Sequence, residues 1–359
     1  MLNTASALID LPALSHNLQV VRALAPRCRI MALLKADAYG HGALPAARAL
    51  AGADGFAVAR LQEALQLREA GIAHRLLLLG TLLDQAELAL CSQQNIDVTA
   101  HDRTSVAAIA ACARERPLRV WLKLDCGMHR LGLDPAAFVA AERLLSGQPG
   151  VSELIHMTHF SSTREVSSSV MAQQIERFLA CHALNPERAI SVANSVVLIA
   201  RPELRVDWVR PGIMLYGENP LAADFELPRP LRAVMTLRAR VIAVREIAAG
   251  ESVGYDGCWS SSRPSRIATL GIGYGDGYPR LAGNGTPVCI NGQRAELVGR
   301  VSMDSIAIDV TDCADVAVAD EATLWGPKLP VATIADCART TSYQLFTGVG
   351  QRVSREYID

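Results

Sequence analysis

Eight short apolar runs recur across the first 217 residues, at positions 30–35, 55–60, 75–80, 96–100, 119–125, 154–160, 189–195 and 208–217. Most are separated by segments of helical period such as 61–71 and 170–184, where apolar residues return every three or four positions. Gly71 is a natural helix stop, and Asp134-Pro135 has the form of an N-cap followed by proline at the first helical position. Strands that alternate with helices pair in parallel, because each crossover helix returns the chain to the same edge of the sheet. Eight such units predict a closed α/β (β/α)8 barrel. An open doubly wound sheet is the alternative, and the eightfold count favours the barrel.

The pattern changes near residue 225. Pro228-Arg229-Pro230 marks a linker, and β-branched runs follow at 234–247, 266–271, 288–290, 295–301 and 305–310. Asn291-Gly292 is a hairpin turn signal between two of them. Helical period returns only at 331–345. The expectation is therefore a barrel over 1–225 and a mostly β domain over 226–359. A net charge of −1 provides no field to hold nucleic acid or an anionic membrane. No apolar run reaches the ~20 residues of a membrane span. The first residues lack the basic-then-apolar pattern of a secretory signal. Nine scattered cysteines without a C-x-x-C pair argue against a zinc site or disulfide framework and for reduced thiols, hence a cytoplasmic enzyme without metal.

In such a barrel the chemistry collects at the C-terminal ends of the strands. The first run ends in Lys35, followed by Tyr39 and a Gly40-His41-Gly42 turn. An apolar strand that delivers one amine to its tip suits a lysine that forms an imine with a carbonyl cofactor. The other runs end in Lys123-Leu124-Asp125 with Arg130 beyond, in His159, in Asn194-Ser195, and in Arg210-Pro211-Gly212-Ile213. Ser195 and the amides of Gly212 and Ile213 suit a phosphate, since glycine lets backbone approach closely. His159 could abut a flat ring. Arg210 is a permanent cation that could face either the ring or the phosphate.

The chain resembles the alanine racemase family, whose members are pyridoxal-phosphate enzymes of fold type III. The likeness runs almost end to end. It is carried by Leu34-Lys35-Ala36-Asp37-Ala38-Tyr39-Gly40-His41-Gly42, by Lys123 through Gly132, by His159-Phe160, Asn194-Ser195 and Val209 through Gly217, and by Gly254-Tyr255, Gly273 through Arg280 and Val298 through Asp304. The resemblance implies pyridoxal 5'-phosphate on Lys35 and interconversion of L- and D-alanine, with Lys35 as base on one face of the substrate and Tyr255 on the other. A phenol, ordinarily titrating near ~10, needs nearby cations or hydrogen bonds for that role. The resemblance further assigns Arg130 and the backbone at Met303 to the substrate carboxylate, and Tyr39, Ser195, Gly212 and Ile213 to the phosphate. Arg210 would face the pyridine nitrogen, with His159 beside it, and Tyr274 would line the site. Tyr255 and Met303 would enter from the second subunit of a head-to-tail homodimer with shared sites. In some relatives the lysine matching Lys123 is carbamylated and orients the arginine; the alternative is an ordinary pair with Asp125.

Four departures bear on substrate range rather than reaction type. Cys126 replaces a common threonine or serine, and Asp256 stands where glycine is frequent. Arg164 replaces an acidic residue near the entrance, and Gln351 occupies a position held by tyrosine in some relatives. A serine or broad-specificity racemase is the nearest alternative. A decarboxylase of the same architecture, or a barrel-only cofactor-binding protein, is more distant, because a full β domain carries Tyr255 and Met303.

Overall fold

In the computed structural model, the described residues are 4–80, 82–112, 116–161, 168–221, 225 and 227–359. The strands are β1 (Ala5–Asp10), β2 (Arg29–Leu33), β3 (Gly55–Val58), β4 (Arg75–Leu78), β5 (Ile96–Ala100), β6 (Leu118–Lys123), β7 (Val151–Met157), β8 (Ala189–Ser191), β9 (Ala193–Asn194), β10 (Trp208–Arg210), β11 (Met235–Ile247), β12 (Ser265–Leu270), β13 (Pro287–Ile290), β14 (Gln293–Val298), β15 (Ile306–Asp309), β16 (Glu321–Trp325) and β17 (Ser354–Ile358).

Nine of these form one parallel sheet in the order β8-β7-β6-β5-β4-β3-β2-β10-β9. The two end members, β8 and β9, are pieces of one stretch interrupted at Val192, so the ring closes through residues 189–194. Eight strand positions result, at the eight expected places, and the architecture is the barrel rather than the open sheet. The barrel strands carry few polar residues because both faces are covered, as in β3, whose four residues are all buried. The intervening helices begin where the sequence signals them. Asp134 caps the helix Pro135–Leu145 by accepting the Ala137 N–H at 2.8 Å. The helix Leu61–Glu69 ends at Ala70-Gly71, with Gly71 left-handed at φ 82°.

The second sheet has eight strands in the order β12-β15-β14-β13-β16-β11-β1-β17. Asn291 and Gly292, both at positive φ (48° and 75°), turn β13 into β14 with Ile290 opposite Gln293. Residues 331–345 form two helices, Val331–Cys337 and Ser342–Gly348, instead of one. Three strands, β1, β16 and β17, escape the sequence reading. Strand β1 matters most, since it pairs with β11 and β17. The N-terminal residues 5–10, assigned by sequence to the barrel, thus join the β sheet instead. Among the described residues, no helix is long and apolar enough to cross a membrane.

Candidate active site

The C-terminal rim of the barrel collects the expected groups, with one correction at its start. Strand β2 stops at Leu33, and Lys35 is not its tip but the first residue of a short turn, Lys35–Gly40. That turn winds left-handed. Ala36, Asp37, Ala38 and Tyr39 have φ of 53–55° and ψ of 38–52°. Each L-residue in this region costs ~1–2 kcal/mol, on the order of 4–8 kcal/mol for four. The surroundings therefore have to hold it. Glu63 accepts the Ala36 N–H at 2.6 Å, Asp37 accepts the Ala43 N–H at 2.7 Å, and Gly42 N–H donates to Asp37 O at 3.0 Å. The His41 ring, fully buried, lies 3.0 and 2.9 Å from the carbonyls of Ala38 and Tyr39, and burial pushes its pKa down to about 4, so the imidazole is neutral. The result is an amine presented by a rigid turn.

Tyr39, at the end of the turn, is buried and stacked on Tyr216 at 4.7 Å between ring centres. Tyr216 is itself tied down, its hydroxyl donating to Leu33 O at 2.6 Å. The Tyr39 hydroxyl points at Gly212 so closely that a β-carbon there would lie 2.6 Å from it. On the other side, the Gly212 N–H donates to Ser195 Oγ at 2.9 Å. Tyr39, Ser195, Gly212 and Ile213 thus meet in one cradle of donors, closed by the buried turn Ile213–Tyr216. This fits a phosphate.

The rest of the rim is a set of cations. Arg210 is buried and held by neutral oxygens only, donating to Ser191 O, Ser191 Oγ and Thr158 O, each at 2.6 Å. Burial lowers its pKa to about 10, which leaves it charged near neutrality. Lys123, at the end of β6, is lowered to about 8 by burial first and then by Arg210 and Arg130. Lys35 is lowered by burial and by Arg130, against which Glu63 acts upward. His159 is pushed to about 3 by burial and by Arg210, Lys123, Arg130 and Lys35, so it is a neutral ring. Lys123 has no hydrogen bond to its ammonium and no ion pair among the described residues. No Lys123–Asp125 ion pair forms among the described residues: Asp125 Oδ1 accepts the N–H groups of Gly127, Met128 and His129 at 2.8, 2.9 and 3.1 Å, and Oδ2 lies 3.5 Å from His129 Nδ1, so Asp125 acts on the Lys123 amine only through space. Arg130 likewise has no hydrogen-bonded carboxylate among the described residues. Four basic side chains gathered with only Glu63 and Asp125 acting against them, among the described residues, form an electrostatically unfavourable arrangement unless anions arrive.

Tyr255, Tyr274 and Met303 are elsewhere on the chain's surface. They are 69, 40 and 53 % exposed, and no hydrogen bond joins any of them to Lys35 among the described residues. They stand on neighbouring loops of one platform of the β unit: Asp256, next to Tyr255, pairs with Arg300 at 3.1 Å, on the segment that leads into Ser302 and Met303. The Tyr274 N–H donates to Ser302 O at 3.0 Å and the Gly275 N–H to Met303 O at 2.8 Å. At Gly273 a β-carbon would lie 2.3 Å from Ser302 O, so only glycine permits the two loops to touch. Arg352 ties the platform to the C-terminus through Asp276 at 3.0 Å and Asp304 at 2.6 Å. Gln351 beside it is exposed. Cys126 is buried, its sulfur accepting the Thr158 hydroxyl at 3.2 Å. Arg164 lies outside the described residues. Sequence reasoning missed Glu63, Ser191, Thr158 and Tyr216. The first had a signal, a glutamate in the first turn of a helix beside the rim; the others act through carbonyls or packing, which no side-chain motif announces.

Residues 9–220 match the family described as alanine racemase, N-terminal domain, and residues 234–357 the alanine racemase C-terminal domain. The chain is 44 % identical over 358 residues to an alanine racemase of Yersinia pestis, covering 99 % of each chain. It is 44 % identical over 352 residues to the biosynthetic alanine racemase of Pseudomonas aeruginosa, covering 98 % of each. Among solved structures, that of the biosynthetic alanine racemase from Pseudomonas aeruginosa superposes with a TM-score of 0.95 at 42 % identity and full coverage of both chains. The alanine racemase of Bartonella henselae with covalently bound pyridoxal phosphate superposes with a TM-score of 0.90 at 31 % identity, covering 99 % of this chain and 100 % of that one. The barrel rim, the β platform and these likenesses together make the chain a member of the alanine racemase family.

Proposed function

We propose that the described rim is the cofactor half of a two-base racemase site and that the β platform is the other half. The enzyme interconverts L- and D-alanine with pyridoxal phosphate, the activity and cofactor of its family. The observation that carries the residue assignment is the cation cluster of Lys35, Lys123, Arg130 and Arg210, in which Glu63 and Asp125 only partly offset the mutual repulsion, beside the Tyr39–Ser195–Gly212 cradle. When bound, the cofactor supplies an electron sink that makes the α-proton of the amino acid acidic.

The chain's own groups do the rest. Lys35 Nζ anchors the cofactor and exchanges the α-proton on one face of the substrate, and burial beside Arg130 favours the neutral amine that both tasks need. Tyr39, Ser195 and the amides of Gly212 and Ile213 hold the phosphate. Arg210, fixed by neutral acceptors, would keep its charge beside the bound ring and would disfavour a proton on the ring nitrogen, restraining side reactions. His159, as a neutral ring, abuts the cofactor without adding charge. Arg130 takes the substrate carboxylate with the Met303 backbone, and Tyr274 lines the pocket. Lys123, whose neutral amine is accessible near pH 8, adds carbon dioxide through a new Nζ–C bond and loses one proton to solvent, and the resulting carbamate anion holds Arg130 in place.

Tyr255 exchanges the α-proton on the opposite face. Its exposure with Tyr274 and Met303 on one platform supports a head-to-tail homodimer, in which each platform completes the partner's site. The division into a barrel to 225 and a β domain from 226, with β1 added to the latter's sheet, and a cytoplasmic location belong to the same reading. The test is Lys35→Ala, which should abolish the absorbance of bound cofactor and the entry of solvent deuterium at Cα of either alanine enantiomer. Retention of the band would remove Lys35 as anchor. A screen of the common L-amino acids with chiral product analysis sets the substrate range at Gln351 and Arg164.

A further inference from the structure

We propose that Glu63 is a positioning residue for Lys35, setting the backbone that carries the amine and the field around it. The proposal rests on Lys35 being the cofactor anchor. Glu63 lies in the first turn of the helix Leu61–Glu69, and one carboxylate oxygen does what a glutamate there commonly does: Oε2 accepts the N–H groups of Ala59 and Arg60 at 2.8 and 2.9 Å, closing the helix's own N-terminus. The other oxygen leaves the helix. Oε1 accepts the Ala36 N–H at 2.6 Å, across 27 residues of sequence, at the first left-handed residue and the one bonded directly to Lys35. A short charge-assisted bond at that amide holds the chain where it departs from ordinary geometry. The same carboxylate is the anion acting on Lys35, opposing burial and Arg130. The other titratable groups facing the amine are Lys123 and the neutral His159 ring, on which Lys35 acts in turn. The nearest other carboxylate in sequence, Asp37, is turned to the Ala43 N–H. One side chain therefore couples the β3-side loop to the catalytic turn by geometry and charge together.

The experiment compares full-length wild type, Glu63→Gln and Glu63→Asp. Two quantities are read: the pH midpoint for labelling of Lys35 by an amine-directed reagent in the cofactor-free enzyme, followed by peptide mass spectrometry, and the rate of pyridoxal phosphate uptake by absorbance. Removing an anion favours the neutral amine, so Glu63→Gln should move the midpoint down by about half a pH unit and slow uptake roughly tenfold. Glu63→Asp keeps the charge but is one methylene short of spanning both loops. It should hold the wild-type midpoint while uptake still slows. A purely structural role would lower thermal stability and leave the midpoint in place. Wild-type midpoint and uptake in Glu63→Gln overturn the proposal, and if that variant does not fold, wild-type uptake in Glu63→Asp overturns it. Lys35→Ala is the control: cofactor retained there sinks the anchor reading itself, whereas cofactor lost there with Glu63 variants unchanged sinks only the role of Glu63.

Discussion

Gly212→Ala isolates the phosphate cradle, because its consequence can be worked from three distances. The new β-carbon would stand 2.6 Å from the Tyr39 hydroxyl, 3.4 Å from Cζ and 3.7 Å from Leu33 Cβ. Only the first is an overlap, short of ordinary contact by about 0.8 Å. Tyr39 cannot simply retreat, since its ring is buried against Tyr216, and Tyr216 is hydrogen-bonded to Leu33 O. Forcing one methyl into such packing costs ~1–3 kcal/mol. If the strain falls on the cradle, pyridoxal phosphate affinity drops roughly 5- to 150-fold. Tyr39→Phe removes the overlapping oxygen at the cost of one hydrogen bond, about 1 kcal/mol. The double variant Gly212→Ala/Tyr39→Phe should therefore bind cofactor more tightly than Gly212→Ala alone. The measurement is an absorbance titration with pyridoxal phosphate for all four proteins, with thermal melts to confirm folding. Strictly additive losses would refute the steric argument, because they would mean that the methyl harms the site without touching Tyr39.

Three further outcomes are expected. Tyr255→Phe should depress α-deuterium exchange from L-alanine far more than from D-alanine, and equal losses would sink the two-base assignment. Enzyme kept free of carbon dioxide should show a KM for alanine raised roughly tenfold, on the scale of a lost charge-assisted contact to Arg130, and bicarbonate should restore it; a KM indifferent to bicarbonate would leave Lys123 as a bare amine. Away from the site, Glu142 sits buried against His156 (3.0 Å) and Arg188 (2.9 Å); burial alone would raise its pKa, but those hydrogen bonds hold it at about 2. A carboxyl depressed on folding stabilises above its unfolded pKa of ~4.5 and loses that contribution as pH falls toward ~2, so Glu142→Gln should cost up to about 3 kcal/mol at neutral pH and flatten the acid limb of a denaturation curve.

The barrel was legible because its period is physical: parallel strands buried on both faces are apolar runs, and helices between them are amphipathic. Strand ends were legible only to within a few residues, as the apolar runs continue past Leu33, Leu78, Met157 and Arg210, but the cations that gather there were named. The left-handed turn was not. Ala36, Asp37, Ala38 and Tyr39 contain no glycine, and nothing in their local preference announces φ near +54°. The conformation is held by Glu63, 27 residues away in sequence, together with the local Asp37–Ala43 bond and the contacts of the His41 ring with Ala38 O and Tyr39 O. Strand β1 was missed for a related reason. Ala5–Asp10 precedes the barrel in sequence, and only its pairing with β11 and β17, more than 200 residues away, takes it into the other sheet. A charged side chain can be read from the sequence, but a backbone held by remote partners cannot.

The same distinction explains why Tyr255 depended on family likeness. On this chain alone it is an exposed aromatic in a short turn, and exposed aromatics usually do nothing. What changes the inference is company. Tyr274 and Met303 are exposed on neighbouring loops locked by the Tyr274–Ser302 and Gly275–Met303 hydrogen bonds, while the barrel rim, among the described residues, gathers basic side chains and a neutral histidine around Lys35 and no tyrosine matching Tyr255. A rigid surface carrying apolar and phenolic groups without a partner, and a rim lacking one catalytic group, are complementary deficits. If each repairs the other across two chains, Lys35→Ala and Tyr255→Phe fail in different halves of the site. Subunit exchange between these two impaired proteins should then regenerate activity, because a mixed dimer carries one site with both residues intact. Activity that stays at the level of the separate variants after verified exchange would show that both residues serve one site within a single chain.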